Sequence, residues 1–102
     1  PDTLLVDVDA LKRVLDSQRV DAIIVTHLYG LLADIEDIVK LAKSRGILVI
    51  EDCAQSTGSF YKGKPSGSFG HLSAFSFYPT KNLGAYGDGG FILTNNYNLY
   101  NI

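Results

Sequence analysis

The sequence predicts an α/β fold: a three-layer-type, mostly parallel sheet with flanking helices and an antiparallel last strand. Three observations carry this. Ala22–Thr26 and Ile47–Ile50 are continuous apolar runs rich in β-branched residues, without the alternation of a half-solvated strand, as expected of strands buried on both faces. Between them, Ile35, Ile38, Val39, Leu41 and Ala42 recur at helical spacing. Strand, helix and strand in this order, at these lengths, read as a right-handed βαβ unit of a parallel sheet.

Pro1–Val6 is short and extended. Asp7 or Asp9 suits the cap of a helix over Ala10–Ser17, whose Leu11, Val14 and Leu15 form one apolar stripe. Arg19 and Asp21 mark the turn into the first strand, which ends at His27-Leu28-Tyr29-Gly30. Asp34-Ile35-Glu36-Asp37 opens the second helix with acidic residues in its first turn, Lys43 and Arg45 close it, and Gly46 stops it. The second strand ends at Glu51-Asp52. From Cys53 to Gly70 small and polar residues predict loop. Leu72–Phe77 is the third strand and Phe91–Thr94 the fourth. The loop after Lys81 is too short for a helical crossover, so the fourth strand should run antiparallel to its neighbour. In the tail, Leu99 and Ile102 are placed to begin a helix.

Composition bounds the function. The chain has 102 residues, 46% hydrophobic and 20% charged, so it is globular. Formal net charge is -2 with no block of lysine or arginine, which argues against a nucleic-acid surface. No apolar run is long enough for a bilayer, and no secretory pattern occurs. A single cysteine, Cys53, excludes an internal disulfide and a multi-cysteine metal cluster, so no metal is expected and the reducing cytoplasm is the expected compartment. The chain opens at Pro1 without an initiator methionine, as a processed product or a piece of something longer would.

In an open parallel sheet, ligands bind beyond the carboxyl ends of the strands. That rule gathers His27 after the first strand, Glu51 and Asp52 at the end of the second, Ser76 near the end of the third, and Lys81 just past it. Lys81 stands alone in a loop followed by Gly84, Gly87, Gly89 and Gly90. A loop lysine of this kind can hold a phosphate as a point charge or form a Schiff base with an aldehyde cofactor, where most lysines are only solvated. Asp52 either caps the next turn or pairs with a protonated ring nitrogen, and Gln55 three residues on can face the same ligand. His27 and Tyr78 are candidate walls of a substrate pocket. By ordinary frequencies a histidine there is packed, and Phe75, Phe77 and Tyr78 are core or wall. Cys53 reads as a small buried apolar residue, because Glu51 and Asp52 have the wrong sign to acidify it. Gly87-Asp88-Gly89-Gly90 lacks the Walker pattern.

Taken together, Glu51-Asp52-Cys53-Ala54-Gln55, Tyr61-Lys62-Gly63-Lys64, Gly67-Ser68-Phe69-Gly70, Phe75-Ser76-Phe77-Tyr78-Pro79-Thr80-Lys81-Asn82-Leu83-Gly84 and Gly87-Asp88-Gly89-Gly90 closely resemble the DegT-type nucleotide-sugar aminotransferases. These are pyridoxal 5'-phosphate enzymes of the aspartate-aminotransferase fold (fold type I). The resemblance implies that Lys81 forms the internal aldimine and shuttles the proton, that Asp52 pairs with the pyridinium nitrogen, that Gln55 lies beside the ring and its phenolic oxygen, and that Ser76 donates to the cofactor phosphate. Tyr78 stands where many relatives have histidine. The Tyr-Pro-Thr-Lys-Asn-Leu-Gly-Ala variant looks like the branch acting on dTDP-linked 3-keto-6-deoxy sugars. Family members that dehydrate sugars carry histidine at the lysine position; Lys81 favours transamination, since histidine forms no stable aldimine.

Whole family members are several times longer. The resemblance therefore implies that residues 1–102 are a partial cofactor-binding large domain, without its N-terminal part and the C-terminal small domain. It also implies a nucleotide-sugar substrate, glutamate as amino donor, and a homodimer whose partner subunit supplies a phosphate ligand. Two other readings stand beside it: an inactive remnant that folds by self-association, and a non-enzymatic cofactor-binding module or regulator. An isolated 102-residue chain is expected to be inactive.

Overall fold

A computed structural model describes residues 3–101. The elements are α1 (Val8–Ser17), β1 (Ala22–Thr26), a single 3-10 turn (Leu28–Gly30), α2 (Ile35–Lys43), β2 (Leu48–Asp52), β3 (Phe60–Tyr61), β4 (Lys64–Pro65), β5 (Leu72–Ser76), β6 (Gly90–Leu93) and α3 (Tyr97–Tyr100). The main sheet has the order β1-β2-β5-β6. The first three strands are parallel and β6 is antiparallel to β5, as the short loop after Lys81 requires.

α1 begins two residues before the expected start because Asp7 caps it, its carboxylate accepting the N–H of Ala10 at 2.6 Å. The stripe that packs against the core is accordingly Val8, Leu11 and Leu15, each partly buried, and Val14 is exposed. Asp34 holds the N-cap position of α2 without a side-chain cap bond; its carboxylate accepts the Tyr61 hydroxyl at 3.3 Å instead. α2 ends where Gly46 turns left-handed (φ 68), and Ile47 N–H closes back on the carbonyl of Ala42 at 3.0 Å.

Residues 53–70, expected as loop, contain a small hairpin. β3 and β4 are antiparallel, and the turn between them places Lys62 (φ 49) and Gly63 (φ 80) both in the left-handed region. The hairpin is held against α2 by Glu36, which accepts Lys62 at 3.0 Å and lies 3.8 Å from Lys64. These ion pairs contribute little to stability and chiefly set the hairpin's position.

The core lies on one face of the sheet. Ile23, Val25 and Val49 meet Ile35, Ile38 and Ala42 of α2, with Ala33 and Ile47 at the ends and α1 packed behind. On the opposite face Ile24, Leu48 and Ile92 are exposed. Among the described residues the helices that pack on the sheet therefore lie on one face of it. The tail forms α3, whose N-cap Asn96 accepts the N–H of Asn98. Leu99 lies within it, and Ile102 lies outside the described residues.

Ile38 is fully buried at the centre of this core. Ile38→Ala in the intact protein should cost about 2–5 kcal/mol, read from the midpoint of urea unfolding.

Candidate active site

The site is built on one property of β2. The strand runs through Glu51 and Asp52, the end the sequence predicts, so the two carboxylates are consecutive strand residues and face opposite sides of the sheet. Glu51 points into the core and Asp52 away from it.

Glu51 is fully buried and fully partnered. Its Oε1 accepts the N–H groups of Phe69 (2.8 Å) and Gly70 (2.6 Å). Its Oε2 accepts the N–H of Gly67 (2.9 Å) and meets His27 Nε2 at 3.0 Å. His27 Nδ1 accepts the N–H of Ala33 at 3.3 Å, so Nε2 carries the hydrogen and donates. Burial alone would raise the Glu51 carboxyl; the hydrogen bonds from His27, Gly70, Gly67 and Phe69 outweigh it and hold the group below its ordinary value of 4.5.

His27 is consequently no wall of a substrate pocket. It has no exposed surface, both ring nitrogens are engaged, and it lies on the helix-covered side. Cys53 is also enclosed; burial, with Glu51 and Asp52 nearby, pushes its thiol up to about 11. His27, Glu51 and Cys53 offer ligand atoms within 4.8 Å of one another. The four acceptor positions of Glu51 and the Nδ1 lone pair of His27 are already used by protein donors, so the cluster is a hydrogen-bonded junction.

The other sequence candidates lie at the opposite face or past the strand ends. Asp52 Oδ2 accepts the Thr26 hydroxyl at 3.2 Å and Oδ1 the N–H of Ala54 at 3.1 Å. Asp52 is in register with Ala74, so Ser76, two residues further along β5, lies on the same face. Ser76 Oγ accepts the N–H of Tyr78 at 3.2 Å. The Tyr78 ring is half exposed. Gln55 and Lys81 share a pocket of about 310 Å³ with Tyr29, Thr80 and Asn82. Asp52, Ser76 and Tyr78 do not line that pocket. Lys81 is half-buried, and among the described residues its ammonium pairs with no carboxylate. Its loop is tied across to residues 53–59 by Asn82 Nδ2, which donates to the carbonyl of Thr57 at 3.5 Å.

The match to known proteins decides the family. The model of the DegT/DnrJ/EryC1/StrS aminotransferase family matches residues 1–102. The chain belongs to this family. It is 55% identical over 76 residues to a UDP-N-acetyl-3-dehydro-alpha-D-glucosamine 3-aminotransferase of Acidithiobacillus ferrooxidans, covering 74% of this chain and 21% of that protein. It is 45% identical over 91 residues to the dTDP-3-amino-3,4,6-trideoxy-alpha-D-glucose transaminase of Micromonospora megalomicea, covering 89% of this chain and 24% of that protein. The crystal structure of S. venezuelae DesV in complex with a ketimine intermediate superimposes with a TM-score of 0.87 at 38% identity, over 95% of this chain and 26% of that one. The fold is thus the mixed sheet of the fold type I pyridoxal-phosphate aminotransferases, and the chain spans about a quarter of the length of these relatives.

Two residues of this DegT-family chain escaped sequence reasoning. The strand-end rule gathers Glu51 with Asp52 at the ligand edge, whereas its position one residue before Asp52 on a strand implies the opposite face, where it is buried. Tyr29 stands in the sequence only in the segment that ends the first strand, and it lines the pocket beside Lys81.

The Glu51 junction gives stability a defined pH dependence. The folded carboxyl lies below 4.5 and the unfolded one near it, so between the two the unfolded chain binds the extra proton. The contribution is fully present above pH 4.5 and is lost as pH falls through the lower folded value. Glu51→Gln should destabilise the intact protein at neutral pH by on the order of 2 kcal/mol or more and flatten this acid limb, both readable from urea midpoints across pH.

Proposed function

We propose that the protein carrying this chain transaminates a nucleotide-linked keto sugar with pyridoxal phosphate, and that its substrate is a dTDP-linked 3-keto-6-deoxyhexose. The observation that carries this reading is the shared pocket of the Lys81 amine and the Gln55 amide, beyond the carboxyl ends of parallel strands. The donor set suits the cofactor. Asp52 offers a carboxylate for a protonated ring nitrogen, Gln55 an amide for the phenolic oxygen, Ser76 a hydroxyl for the phosphate, and Lys81 an amine for the aldehyde. Pyridoxal phosphate, when bound, supplies an electrophilic carbonyl and an electron sink.

Each side chain then has a distinct task. Asp52 is oriented by Thr26 and by the N–H of Ala54, so its carboxylate is held at the end of β2, where it would favour the proton on the ring nitrogen of a bound cofactor. Lys81 is the nucleophile and the carrier of the proton at the reacting carbon. Glutamate is the proposed amino donor and the cytoplasm the proposed compartment. No described helix is long and apolar enough to cross a membrane. The active form is proposed to be a homodimer, the partner subunit supplying a phosphate ligand. The dTDP-sugar reading rests on the Tyr78-Pro79-Thr80-Lys81-Asn82-Leu83-Gly84-Ala85 variant and on likeness to a dTDP-sugar transaminase.

Pyridoxal phosphate added to the intact protein should give a visible absorbance band. Borohydride should then fix the cofactor's mass on the peptide carrying Lys81, and Lys81→Ala should lack both signals. With glutamate, the dTDP-linked 3-keto-6-deoxyhexose should be aminated in preference to UDP-linked 3-keto sugars by about tenfold or more in kcat/KM. A band unaffected by Lys81→Ala contradicts the mechanism, and a preference for the UDP-linked sugar contradicts the substrate.

A further inference from the structure

The Leu28–Gly30 turn carries backbone strain beside the pocket, and the function above does not explain it. Tyr29 is left-handed (φ 55, ψ 23), a conformation that costs a bulky residue about 1–2 kcal/mol. Its ring is 75% exposed, so core packing is not what holds it there. Gly30 follows at φ 80, and a side chain at that position would begin 3.3 Å from the carbonyl oxygen of Gln55 and 3.4 Å from Ser59 Oγ. Two hydrogen bonds tie this turn to residues 53–59. Ser59 Oγ donates to the carbonyl of Gly30 at 2.8 Å, and the N–H of Tyr29 donates to Gln55 Oε1 at 2.9 Å.

The second bond fixes which way the Gln55 amide faces. An N–H can be met only by the amide's oxygen, so Nε2 is the end left over. Gln55 is exposed to the pocket it shares with Lys81, and Oε1 is already taken. We propose that the Leu28–Gly30 turn is a positioning element: by occupying Gln55 Oε1 with the N–H of Tyr29, it makes position 55 a hydrogen-bond donor and selects an acceptor or anionic oxygen on the ligand beside Lys81. Tyr29 acts through its backbone, Gly30 permits the close approach to residue 55, and Ser59 holds the turn from outside the pocket. The identification of that oxygen as the cofactor's phenolic oxygen rests on the pyridoxal-phosphate reading; the clamp itself does not.

Two readouts on the intact protein separate these. Without cofactor, hydrogen exchange at the Tyr29 amide reports the clamp. Gln55→Ala should speed that exchange at least about tenfold, and Gln55→Glu, whose carboxylate still accepts the N–H, should leave it slow. With pyridoxal phosphate as the probe, Gln55→Glu should weaken binding about tenfold and raise the pH midpoint of the visible band, because it offers no donor to the oxygen. Ser59→Ala should move both quantities in the same direction by a smaller factor, and should add nothing in the Gln55→Glu background, the mark of one coupled unit. Unchanged Tyr29 exchange in Gln55→Ala overturns the clamp whatever the cofactor does. Normal binding and pH midpoint in Gln55→Glu, or additive effects of Ser59→Ala, overturn the positioning role. If the wild-type protein binds no pyridoxal phosphate, the cofactor reading falls and the donor assignment toward it falls as well, while the exchange result still decides the clamp.

Discussion

A buried carboxylate organises this chain. An ionised group in a core is tolerated only when its lone pairs are used, and Glu51 uses both oxygens on two donors each. Those donors come from distant parts of the sequence: His27 after β1, and the three N–H groups of residues 67, 69 and 70 that lead into β5. The loop before β5 is wrapped around the carboxylate, which requires Gly67 at φ 82, where a side chain would start 2.6 Å from the Phe75 ring. The junction thereby fixes how β1 and β2 end and how the chain enters β5.

Strand geometry then does the rest. Because Glu51 must face the core, Asp52 must face the other way, into register with Thr26 and Ala74 and onto the face that also carries Ser76. The face on which α1 and α2 pack is the structural one, and among the described residues no helix packs on the face bearing Asp52. One dipeptide thus sets two carboxylates in opposite environments: Glu51 locked by four donors, and Asp52 held by the Thr26 hydroxyl and the N–H of Ala54 alone.

Much of this was legible in the sequence, for definite reasons. β1, β2, β5 and α2 announce themselves because burial on one or both faces demands continuous or periodic apolar residues. The antiparallel β6 follows from loop length alone. The β3–β4 hairpin was not legible: its strands are two residues long, and its turn puts a lysine at φ 49 where asparagine or glycine gives the usual signal. His27 illustrates a different limit. Its place after a strand suits a pocket residue and a junction residue equally, and only the N–H of Ala33 and the carboxylate of Glu51 decide between them. Lys81 and Gln55 were legible as candidates by motif, but that Tyr29 stands with them depends on a left-handed turn that no propensity favours for an aromatic residue. The lower folded pKa of Glu51 is invisible in sequence, because it arises from a hydrogen bond of His27 and from backbone N–H groups of residues 67, 69 and 70 that only the folded chain brings to it.

The most direct measurement is calorimetry of the intact protein and its Glu51→Gln and Asp52→Asn variants, each with and without saturating pyridoxal phosphate. Cofactor at about 100 times Kd should stabilise the wild type by about 2.7 kcal/mol. Glu51→Gln should lower the melting temperature without cofactor. Asp52→Asn should leave that temperature nearly unchanged and lose most of the cofactor-induced rise. The reverse pattern, with Asp52→Asn unfolding the protein and Glu51→Gln abolishing only the response to cofactor, would contradict the division of roles between the two faces of β2.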